Sequence, residues 1–592
     1  MNAALIVLNA EGLTLARRLQ PRIPGARIHG FAGRADNADL VFTDTMAHLR
    51  SLFREGVPII GICASGILIR ALGPLLDNKH RESAVVALDE DGSVIVPLIG
   101  GHHGANALAR RIAGITGGVP AITTAGDRRF GFALDEPPPG WRVANPEMAK
   151  PVMAALLSGA GARLDGVTPW LAGAPWRDDA ALGVCVTERA GCENDHTLVL
   201  HPPVLTVGVG CERGTDPAEL AALIARSLAE TGLAAGAVAA IGSLDLKMDE
   251  PAMHHAAAAL NTPLRYFSAA ELEAEAPRLR NPSDIVFQET GCHGVAEGAA
   301  LALAGPDGEL VVAKRKSKRA TCAIARAAMP LEGEPAGRPR GALSVVGIGP
   351  GSDAWRSPEA TALIAQADIV VGYGLYIDLL GALVPVAKRR DYGLGAETAR
   401  VREALSQAAE GQRVALVCSG DAGIYALATL VYEMLDATDD PAWRRIAICV
   451  APGISAMQAA AARAGAPLGH DFCAVSLSDL LTPRGAIIAR LEAAAAGDFV
   501  TALYNPQSNS RRDLLVRARD IFAAARPPST PVTVARNLGR PDETVAVVPL
   551  SDLDIESIDM LTILIIGNSE SRMLDTGDGM RMYTPRGYRG KI

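Results

Sequence analysis

The sequence has few aromatic residues, no excess of basic charge and no long apolar run. Aromatic residues make up 4% of its 592 residues, and the formal net charge is −8. A nucleic-acid-binding protein needs a basic surface, and usually aromatic side chains on which bases stack. The composition therefore disfavours nucleic acid as the main partner. Since no apolar stretch approaches the ~18 residues that cross a bilayer, we expect no membrane partner either.

Cysteine is sparse as well. The nine cysteines are spread along the whole chain, and none forms a Cys-x-x-Cys pair. This spacing is typical of thiols in a reducing compartment rather than of a disulfide framework. Residues 1–10 contain a short apolar run but neither a basic leader nor a small-residue cleavage site. Together these features predict a cytoplasmic protein.

What is present suffices for several hydrophobic cores. Hydrophobic residues make up 49% of the chain, and at about 100–200 residues per domain the length allows about three to five domains. Short apolar runs recur, and each is followed by a glycine-rich turn and then a stretch of helical length. Such alternation predicts an α/β, multidomain protein with parallel or mixed sheets. The runs are residues 3–8, 57–62, 204–209, 343–348, 369–371, 414–417 and 561–566.

Two segments rich in proline and glycine divide the chain. Residues 135–176 end a first compact unit, and residues 330–341 have the composition of an extended, uncollapsed linker. The predicted boundaries are 1–130 for a first domain, 131–202 for a middle or linking region, 203–329 for a third domain, 330–341 for the linker, and 342–592 for a last part with lobes of about 342–455 and 456–575.

A glycine-rich turn follows the strand predicted at 343–348. It superficially resembles a dinucleotide-binding fingerprint, with Gly347, Gly349 and Gly351, but the required third glycine is replaced by Ser352. Pro350 also lacks the N–H group that a pyrophosphate would need. A dinucleotide site is therefore disfavoured, and a turn without any ligand remains open at this point.

Two similar turns follow later strands. Residues 419–425 read S-G-D-A-G-I-Y and residues 451–456 read A-P-G-I-S-A, and both lead into helical stretches. Glycines let backbone approach a ligand closely, and Asp421 supplies an acceptor at a strand's carboxyl end, where open sheets bind ligands. We expect the three turns to line one crevice.

These three motifs, together with Y-N-P-Q-S at 504–508, A-R-N-L-G-R at 535–540 and G-N-S at 567–569, resemble the tetrapyrrole (class III) methyltransferases in order and spacing. The stretches 416–425 and 504–508 are most similar to the precorrin-3B C-17 methyltransferases. The resemblance implies a two-lobed α/β enzyme that holds S-adenosylmethionine between its lobes, methylates a tetrapyrrole and forms a homodimer. The implied cofactor-binding residues are Gly420, Asp421, Gly423, Ile424, Tyr425, Ser455, Ala456, Tyr504, Asn505 and Asn537, and the implied substrate loop is Gly349, Pro350 and Gly351.

Such a reaction asks little of catalytic side chains. A sulfonium methyl group is already activated, so the enzyme mainly positions the reactants and excludes water. The family reaction also contracts the macrocycle, which needs a proton relay. Candidates for that relay, each of them also compatible with an ordinary surface role, are Asp353, His470, Arg511 and Arg512.

The N-terminal part carries its own glycine-rich turns. One, at 61–66, contains Cys63, which we interpret as a buried, inert thiol. The other, at 100–106, contains His102 and His103, which are candidates for substrate contact or for a capping or core role. Because adjacent residues of a helix cannot share one face, no metal site is predicted there.

Further motifs lie at 208–214, 243–250 and 289–297, and residues 314–319 form a dense basic cluster that suits a ligand with many carboxylates. With the two earlier turns they resemble the lactone-opening proteins of cobalamin biosynthesis, the cobalt-precorrin-5A hydrolases. The resemblance implies opening of a δ-lactone with release of acetaldehyde. A base could be His102, His103 or Glu289, and turn N–H groups at 101–104 and 210–214 could stabilise the oxyanion.

Two alternatives from other classes stay open. Residues 1–330 could form a corrinoid-binding carrier without catalysis, and residues 342–592 could modify RNA or protein. The acidic charge balance and the tetrapyrrole-related neighbour disfavour the second alternative. Whether the substrate already carries cobalt is not decided by the sequence.

Overall fold

The computed structural model describes residues 3–23, 25–77, 82–101, 104–166, 168–507, 512–588 and 591. The chain divides into two compact units, Met1–Arg340 and Gly341–Ile592. Both units combine sheets with helices, which confirms the α/β class. Within these described ranges, every helix is too short or too polar to cross a membrane.

The first sheet of unit 1 has the order β3-β2-β1-β4-β5-β6-β7. Its inner strands are buried on both faces: Ile60 and Ile62 belong to one core and Ile59 to the other. The strands are β1 (Ala4–Val7), β2 (Arg27–Phe31), β3 (Leu40–Phe42), β4 (Ile59–Ile62), β5 (Val85–Leu88), β6 (Val94–Ile99) and β7 (Val119–Pro120). The helices are α1 (Ala10–Leu19), α2 (Thr45–Arg54), α3 (Ser65–Leu72), α4 (Ala105–Thr116) and α5 (Ala125–Phe130).

A buried pair of histidines lies in this domain. His29 of β2 is 7% exposed, and its Nδ1 lies 2.8 Å from Nε2 of His48, whose ring stacks on Phe42. Burial, followed by the charges of His48 and Arg27, lowers the pKa of His29 to about 4. The folded domain therefore prefers the neutral imidazole.

We expect this domain to lose about 2 kcal/mol of stability between pH 7.5 and pH 5 through His29 alone. An unfolded histidine titrates near 6.5 and binds a proton first, so stability falls as the pH drops below that value. Hydrogen exchange of the β1 and β2 amides, corrected for intrinsic rates, measures the change. In His29→Gln the pH dependence should shrink by that amount, whereas His255→Gln, an exposed position, should keep it. Equal dependence in wild type and His29→Gln would contradict the expectation.

The middle region has a core of its own. Its sheet has the order β8-β11-β10-β9. Val152 and Leu156 of the helix α6 pack in one core with Leu198 and Leu200 of the strand β11. The elements are β8 (Arg142–Val143), α6 (Ala149–Ser158), β9 (Arg163–Asp165), β10 (Gly183–Val186) and β11 (Thr197–His201).

The third sheet of unit 1 has the order β14-β13-β12-β16-β15, with β12 at its centre. Helices α7 and α8 pack on one face and α11 on the other. A Cβ on Gly208 would lie 1.9 Å from the Ala296 carbonyl, so only glycine lets α11 lie this close to β12. The strands are β12 (Leu205–Cys211), β13 (Val238–Leu244), β14 (Leu264–Phe267), β15 (Glu309–Lys316) and β16 (Ala320–Arg326). The helices are α7 (Pro217–Glu230), α8 (Pro251–Leu260), α9 (Ala269–Glu273), α10 (Asp284–Thr290) and α11 (Val295–Ala304).

The segment expected to be an uncollapsed linker is bound to this sheet. Arg338 and Tyr266 of β14 exchange two backbone hydrogen bonds of 2.8 and 2.9 Å. The Arg338 guanidinium pairs with Asp245 at 2.5 Å, and Gly337 packs on the Phe267 ring. The physical reason is that β14 ends the sheet, so its outer backbone groups are free to pair with the passing chain.

Unit 2 begins with a sheet of order β19-β18-β20-β17-β21, in which neighbours are parallel. The carboxyl ends of its strands therefore share one edge. The strands are β17 (Ala342–Gly347), β18 (Ile369–Tyr373), β19 (Arg389–Tyr392), β20 (Arg413–Cys418) and β21 (Ala447–Ala451). The helices are α12 (Pro358–Gln366), α13 (Gly374–Asp378), α14 (Glu397–Ala409), α15 (Leu427–Ala437) and α16 (Pro441–Arg445).

The second lobe contains a mixed sheet of order β23-β24-β27-β25-β26 and a small sheet of order β22-β29-β28. The run predicted at 561–566 is β27, but a hairpin follows it instead of a helix. The elements are α17 (Ala456–Ala464), β22 (Gly465–Ala466), β23 (Phe472–Ser476), α18 (Arg484–Ala496), β24 (Val500–Tyr504), α19 (Asp513–Ala525), β25 (Pro531–Arg536), β26 (Thr544–Pro549), β27 (Thr562–Ile566), β28 (Arg572–Thr576) and β29 (Gly579–Tyr583).

Candidate active site

Three glycine-containing loops meet at the carboxyl edge of β17, β20 and β21. Gly349 and Gly420 exchange two backbone hydrogen bonds, of 3.1 and 2.8 Å, which join the first loop to the second. Both glycines have positive φ, +76° and +69°, a conformation that other residues rarely adopt. Two of the three loops that the sequence predicts to line one crevice are therefore joined directly by backbone hydrogen bonds.

The third loop packs into the same place. A Cβ on Gly453 would lie 2.1 Å from the Gly420 carbonyl oxygen, and one on Gly347 would lie 2.7 Å from that oxygen. No side chain fits at either position. Glycine is required here for the close approach of three backbone segments.

Asp421 ties two of the loops together. Its Oδ1 accepts a hydrogen bond of 2.8 Å from the N–H of Gly423, and its Oδ2 accepts one of 3.0 Å from the N–H of Gly453. We expected this carboxylate to accept from a ligand. In the structure both oxygens accept hydrogen bonds from backbone N–H groups. Each oxygen still has a second lone pair that could accept a further hydrogen bond.

Two tyrosines connect the loops to the second lobe. The hydroxyl of Tyr425 donates to the Ala474 carbonyl at 3.0 Å, and the hydroxyl of Tyr504 accepts from the N–H of Met457 at 3.1 Å. Their ring centroids are 5.1 Å apart. Burial raises the pKa of both phenols. Ser455 caps α17 through a reciprocal pair with Gln458, which places Ala456 in the first turn of that helix.

The two asparagines of the later motifs have positive φ, 49° at Asn505 and 53° at Asn537. The Asn505 amide donates to the Ser476 hydroxyl at 3.1 Å, so this side chain crosses between β24 and β23. The N–H of Asn537 donates to the Leu561 carbonyl. Asparagine is one of the few residues that tolerate this conformation.

The predicted substrate loop contacts the second lobe. A Cβ on Gly351 would lie 3.0 Å from the Gly539 carbonyl, and one on Gly539 would lie 3.5 Å from the Pro350 ring. The contacts described so far connect five of the C-terminal motifs to the carboxyl edge of β17, β20 and β21. These are the motifs at 347–351, 419–425, 451–456, 504–508 and 535–540. Gly423, Ile424 and Tyr425 are exposed there.

These groups could hold a ligand that carries a positive charge. Exposed glycine backbone at 423 gives a ligand close access, and Gly420 has no protein atom nearer than 3.8 Å to where its Cβ would be. The faces of Tyr425 and Tyr504 and the carboxylate of Asp421 each attract a cation.

The proton-relay candidates make surface contacts. Asp353 pairs with Arg356 at 2.5 Å and is 70% exposed, and Arg512 pairs with Glu556. His470 is exposed and lies 3.6 Å from Asp471. Arg511 lies outside the described residues. These contacts do not place the three described side chains in the crevice.

In unit 1, His102 and His103 lie outside the described residues. Glu289 is exposed on α10. Burial raises the pKa of the Cys63 thiol to about 11, so this cysteine is protonated at neutral pH and is a poor nucleophile. Among the residues described, no group of three or more His, Cys, Asp or Glu side chains could hold a metal ion.

The loop at 210–214 differs from the expected oxyanion site. The N–H of Glu212 donates to the Arg319 carbonyl at 2.9 Å, and the N–H of Gly214 donates to Glu250 at 3.2 Å. The Arg319 side chain also donates to the Arg213 carbonyl. Two of the proposed donors are therefore already satisfied within the protein.

The motif at 289–297 contains His293, to which the sequence alone assigns no role. The structure places this imidazole 2.8 Å from the carboxylate of Glu273. The two residues are 20 positions apart, and only the packing of α9 beside α11 brings them together. No local pattern in the sequence signals the pair.

Three family models match the chain. The model described as "Cobalamin synthesis G N-terminal" matches residues 47–127, and "Cobalamin synthesis G C-terminus" matches residues 205–325. The model described as "Tetrapyrrole (Corrin/Porphyrin) Methylases" matches residues 342–554.

Curated relatives match less than half of the chain, and two are matched almost end to end. Identity is 44% over 252 residues with the precorrin-3B C(17)-methyltransferase of a Sinorhizobium species, covering 42% of this chain and 98% of the relative. It is 43% over 246 residues with the probable cobalt-factor III C(17)-methyltransferase of Salmonella typhimurium, covering 42% and 99%. It is 40% over 262 residues with the cobalamin biosynthesis protein CobIJ of Mycobacterium bovis, covering 43% and 50%.

Two solved structures are each similar to a part of the chain. The methyltransferase CobJ is 40% identical, with a TM-score of 0.39, over 41% of this chain and 100% of its own. CobE, a protein from the cobalamin (vitamin B12) biosynthetic pathway, is 42% identical, with a TM-score of 0.20, over 21% of this chain and 89% of its own.

Proposed function

Because the chain belongs, through its C-terminal unit, to the tetrapyrrole (corrin/porphyrin) methylase family, we propose that this unit methylates C-17 of precorrin-3B or its cobalt-containing counterpart. The observation that carries the proposal is 44% identity along 98% of a precorrin-3B C(17)-methyltransferase. The cofactor is S-adenosylmethionine, held by the loops at 420–425 and 452–455 and by Tyr504, Asn505 and Asn537.

The chain's own residues act by positioning. S-adenosylmethionine supplies an activated methyl group, so the protein needs to align it with a ring carbon and exclude water. Asp421 keeps the loops of Gly423 and Gly453 in one arrangement. Tyr425 and Tyr504 give the crevice an aromatic wall. Gly349, Pro350 and Gly351 form the side that faces the tetrapyrrole.

For unit 1 we propose hydrolytic opening of the lactone of precorrin-5A or cobalt-precorrin-5A, with release of acetaldehyde. Support comes from the matches of both cobalamin synthesis G models, in the expected order, before the methylase. The whole chain is then a bifunctional cytoplasmic enzyme of cobalamin biosynthesis that works on one tetrapyrrole pathway. The methylase unit is proposed to form a homodimer.

One incubation tests the methyltransferase activity. Purified full-length protein is mixed with S-adenosylmethionine and metal-free or cobalt-containing precorrin-3B, and the pigment is followed by mass and absorbance. We expect a gain of one methyl group and ring contraction with at least one of the two substrates. Unchanged pigment with both substrates would overturn the methyltransferase assignment.

For unit 1, the lactone-containing precorrin-5A is supplied, and acetaldehyde is measured by coupled NADH oxidation with alcohol dehydrogenase. Release is expected from the full-length protein. Tight pigment binding without release would instead support a non-catalytic corrinoid carrier.

A further inference from the structure

A histidine–carboxylate pair lies before helix α11 in the third domain of unit 1. Nδ1 of His293 is 2.8 Å from Oε1 of Glu273, and the backbone N–H of His293 donates to Oε2 of the same carboxylate, also at 2.8 Å. Glu273 thus fixes both the backbone and the ring of His293. These hydrogen bonds, with the backbone donor of His293 contributing most, lower the pKa of Glu273, so its carboxylate is ionised at neutral pH.

The other ring nitrogen faces outward. Nε2 of His293 lies 3.6 Å from Asp284, whose carboxylate is 96% exposed, and the ring stacks on Phe287 with centroids 4.4 Å apart. Because Glu273 is an acceptor only, Nδ1 carries the proton in the neutral ring and Nε2 offers its lone pair. The charged groups around the imidazole are Glu273 of α9 and Asp284 of α10. This is the arrangement of an oriented base that solvent can reach.

The end of β15, with its basic residues, borders the same loop. The buried Glu297 carboxylate accepts the N–H groups of Arg280, Asn281 and Lys314, each within 2.9 Å. The Lys314 ammonium donates to the Asn281 carbonyl at 3.1 Å. Two residues further along, the Ser283 N–H donates to the His293 carbonyl.

Positive charge is therefore available near the base. Burial and the positive charge of Lys316 lower the pKa of Lys314, and the two residues are two positions apart on β15. Lys316 and Lys318 are exposed. The ammonium groups on β15, the strand beside the loop of His293, would attract the carboxylates of a tetrapyrrole.

We propose that His293, oriented by Glu273, is the general base for lactone opening, and that Lys314 and Lys316 bind carboxylates of the same substrate. This inference rests on the hydrolase activity proposed above, and it places the reaction in the third domain. It replaces His102, His103 and Glu289 as the base.

The reaction step balances with water as the co-reactant. Nε2 of His293 takes a proton from water as the water oxygen forms a bond to the lactone carbonyl carbon. The tetrahedral oxyanion collapses, the ring C–O bond breaks, and the imidazolium returns its proton to the leaving alkoxide oxygen. The products of this step are a carboxylic acid and a hydroxyl group. Acetaldehyde leaves in a following step: the hydroxyl loses its proton and becomes the aldehyde C=O, the C–C bond to the macrocycle breaks, and the macrocycle carbon that keeps the electron pair takes up a proton. No oxidant or reductant is needed in either step.

The test compares three variants of the full-length protein in the acetaldehyde assay. In His293→Asn we expect kcat to fall about 100-fold, the usual size of a general-base contribution, with methyl transfer and melting temperature unchanged. In Lys316→Gln we expect KM to rise about threefold to tenfold with kcat nearly constant. His255→Asn, an exposed histidine on α8, is the matched control and should behave as wild type.

Glu273→Gln separates catalysis from a purely structural role. Removing the carboxylate that orients the imidazole should lower kcat while KM and the melting temperature stay nearly unchanged, a split that loss of packing alone would not produce. If wild type releases acetaldehyde and His293→Asn releases it equally fast, this inference is overturned while the hydrolase activity stands. If wild type releases none, both are overturned.

Discussion

Asp421→Ala is expected to lower kcat/KM for methyl transfer about 1000-fold. The variant loses two charge-assisted hydrogen bonds, to the N–H groups of Gly423 and Gly453. At about 2 kcal/mol each, they amount to about 4 kcal/mol of loop order that cofactor binding would have to restore. Calorimetric titration with S-adenosylmethionine should therefore show much weaker binding in the same variant.

Asp440→Ala is the matched control for this prediction. Asp440 caps α16 in the same lobe and accepts a backbone N–H from Ala442 at 2.8 Å, but it belongs to none of the three glycine loops. The Asp440→Ala variant should bind the cofactor with the same affinity as the wild-type protein. A change of less than threefold in cofactor affinity for Asp421→Ala would contradict the role given to the carboxylate.

Glu297→Ala should destabilise the third domain of unit 1 by about 3–5 kcal/mol, because buried donors that lose their partner cost about 1–3 kcal/mol each. Glu297 is 2% exposed and accepts three backbone N–H groups and the Asn281 amide. Hydrogen exchange of the β15 and α11 amides measures the loss. Asp307→Ala, at an exposed turn, should change stability by less than about 0.5 kcal/mol.

The pH dependence of the same site has a defined sign. Burial alone would raise the pKa of Glu297, but hydrogen bonds from Lys314, Asn281 and Arg280 outweigh burial and lower it. Its contribution is therefore complete above the ordinary glutamate range and is lost as the pH falls through the lowered value. In the wild-type protein, the β15 amides should become less protected from hydrogen exchange as the pH falls. In Glu297→Ala this acid-dependent loss of protection should be absent. Equal acid sensitivity in both proteins would argue against the network.

Local signals in the sequence were sufficient for much of the fold. Helix α7 begins where local sequence signals place a helix start, because the Asp216 side chain caps it and Pro217 occupies its first position. The glycine loops were also foreseen, since close backbone approach has a recognisable composition. The family resemblances of both parts are confirmed by the matching models.

Partners set by sheet order could not be foreseen. The Asp421 carboxylate accepts a hydrogen bond from the N–H of Gly453, which is 32 residues away in the sequence. The two residues meet in space because β20 and β21 lie on either side of β17. Glu273 and His293 also meet through tertiary structure, in their case through the packing of α9 beside α11. The pairing of Gly337 and Arg338 with β14 could not be foreseen, because the proline and glycine content of 330–341 is typical of free linkers. That β14 offers a free edge depends on the order of strands in the sheet, which the local sequence does not give.

The pairing of Arg338 with Tyr266 decides where unit 1 can be separated from the rest. A truncated protein that ends at residue 329 would leave the outer side of β14 bare, and a bare strand edge recruits strands from other molecules. Such a protein should self-associate and precipitate. Ending the truncation after Arg338 keeps that edge covered, so a soluble monomer suited to assays of the isolated hydrolase should extend at least this far.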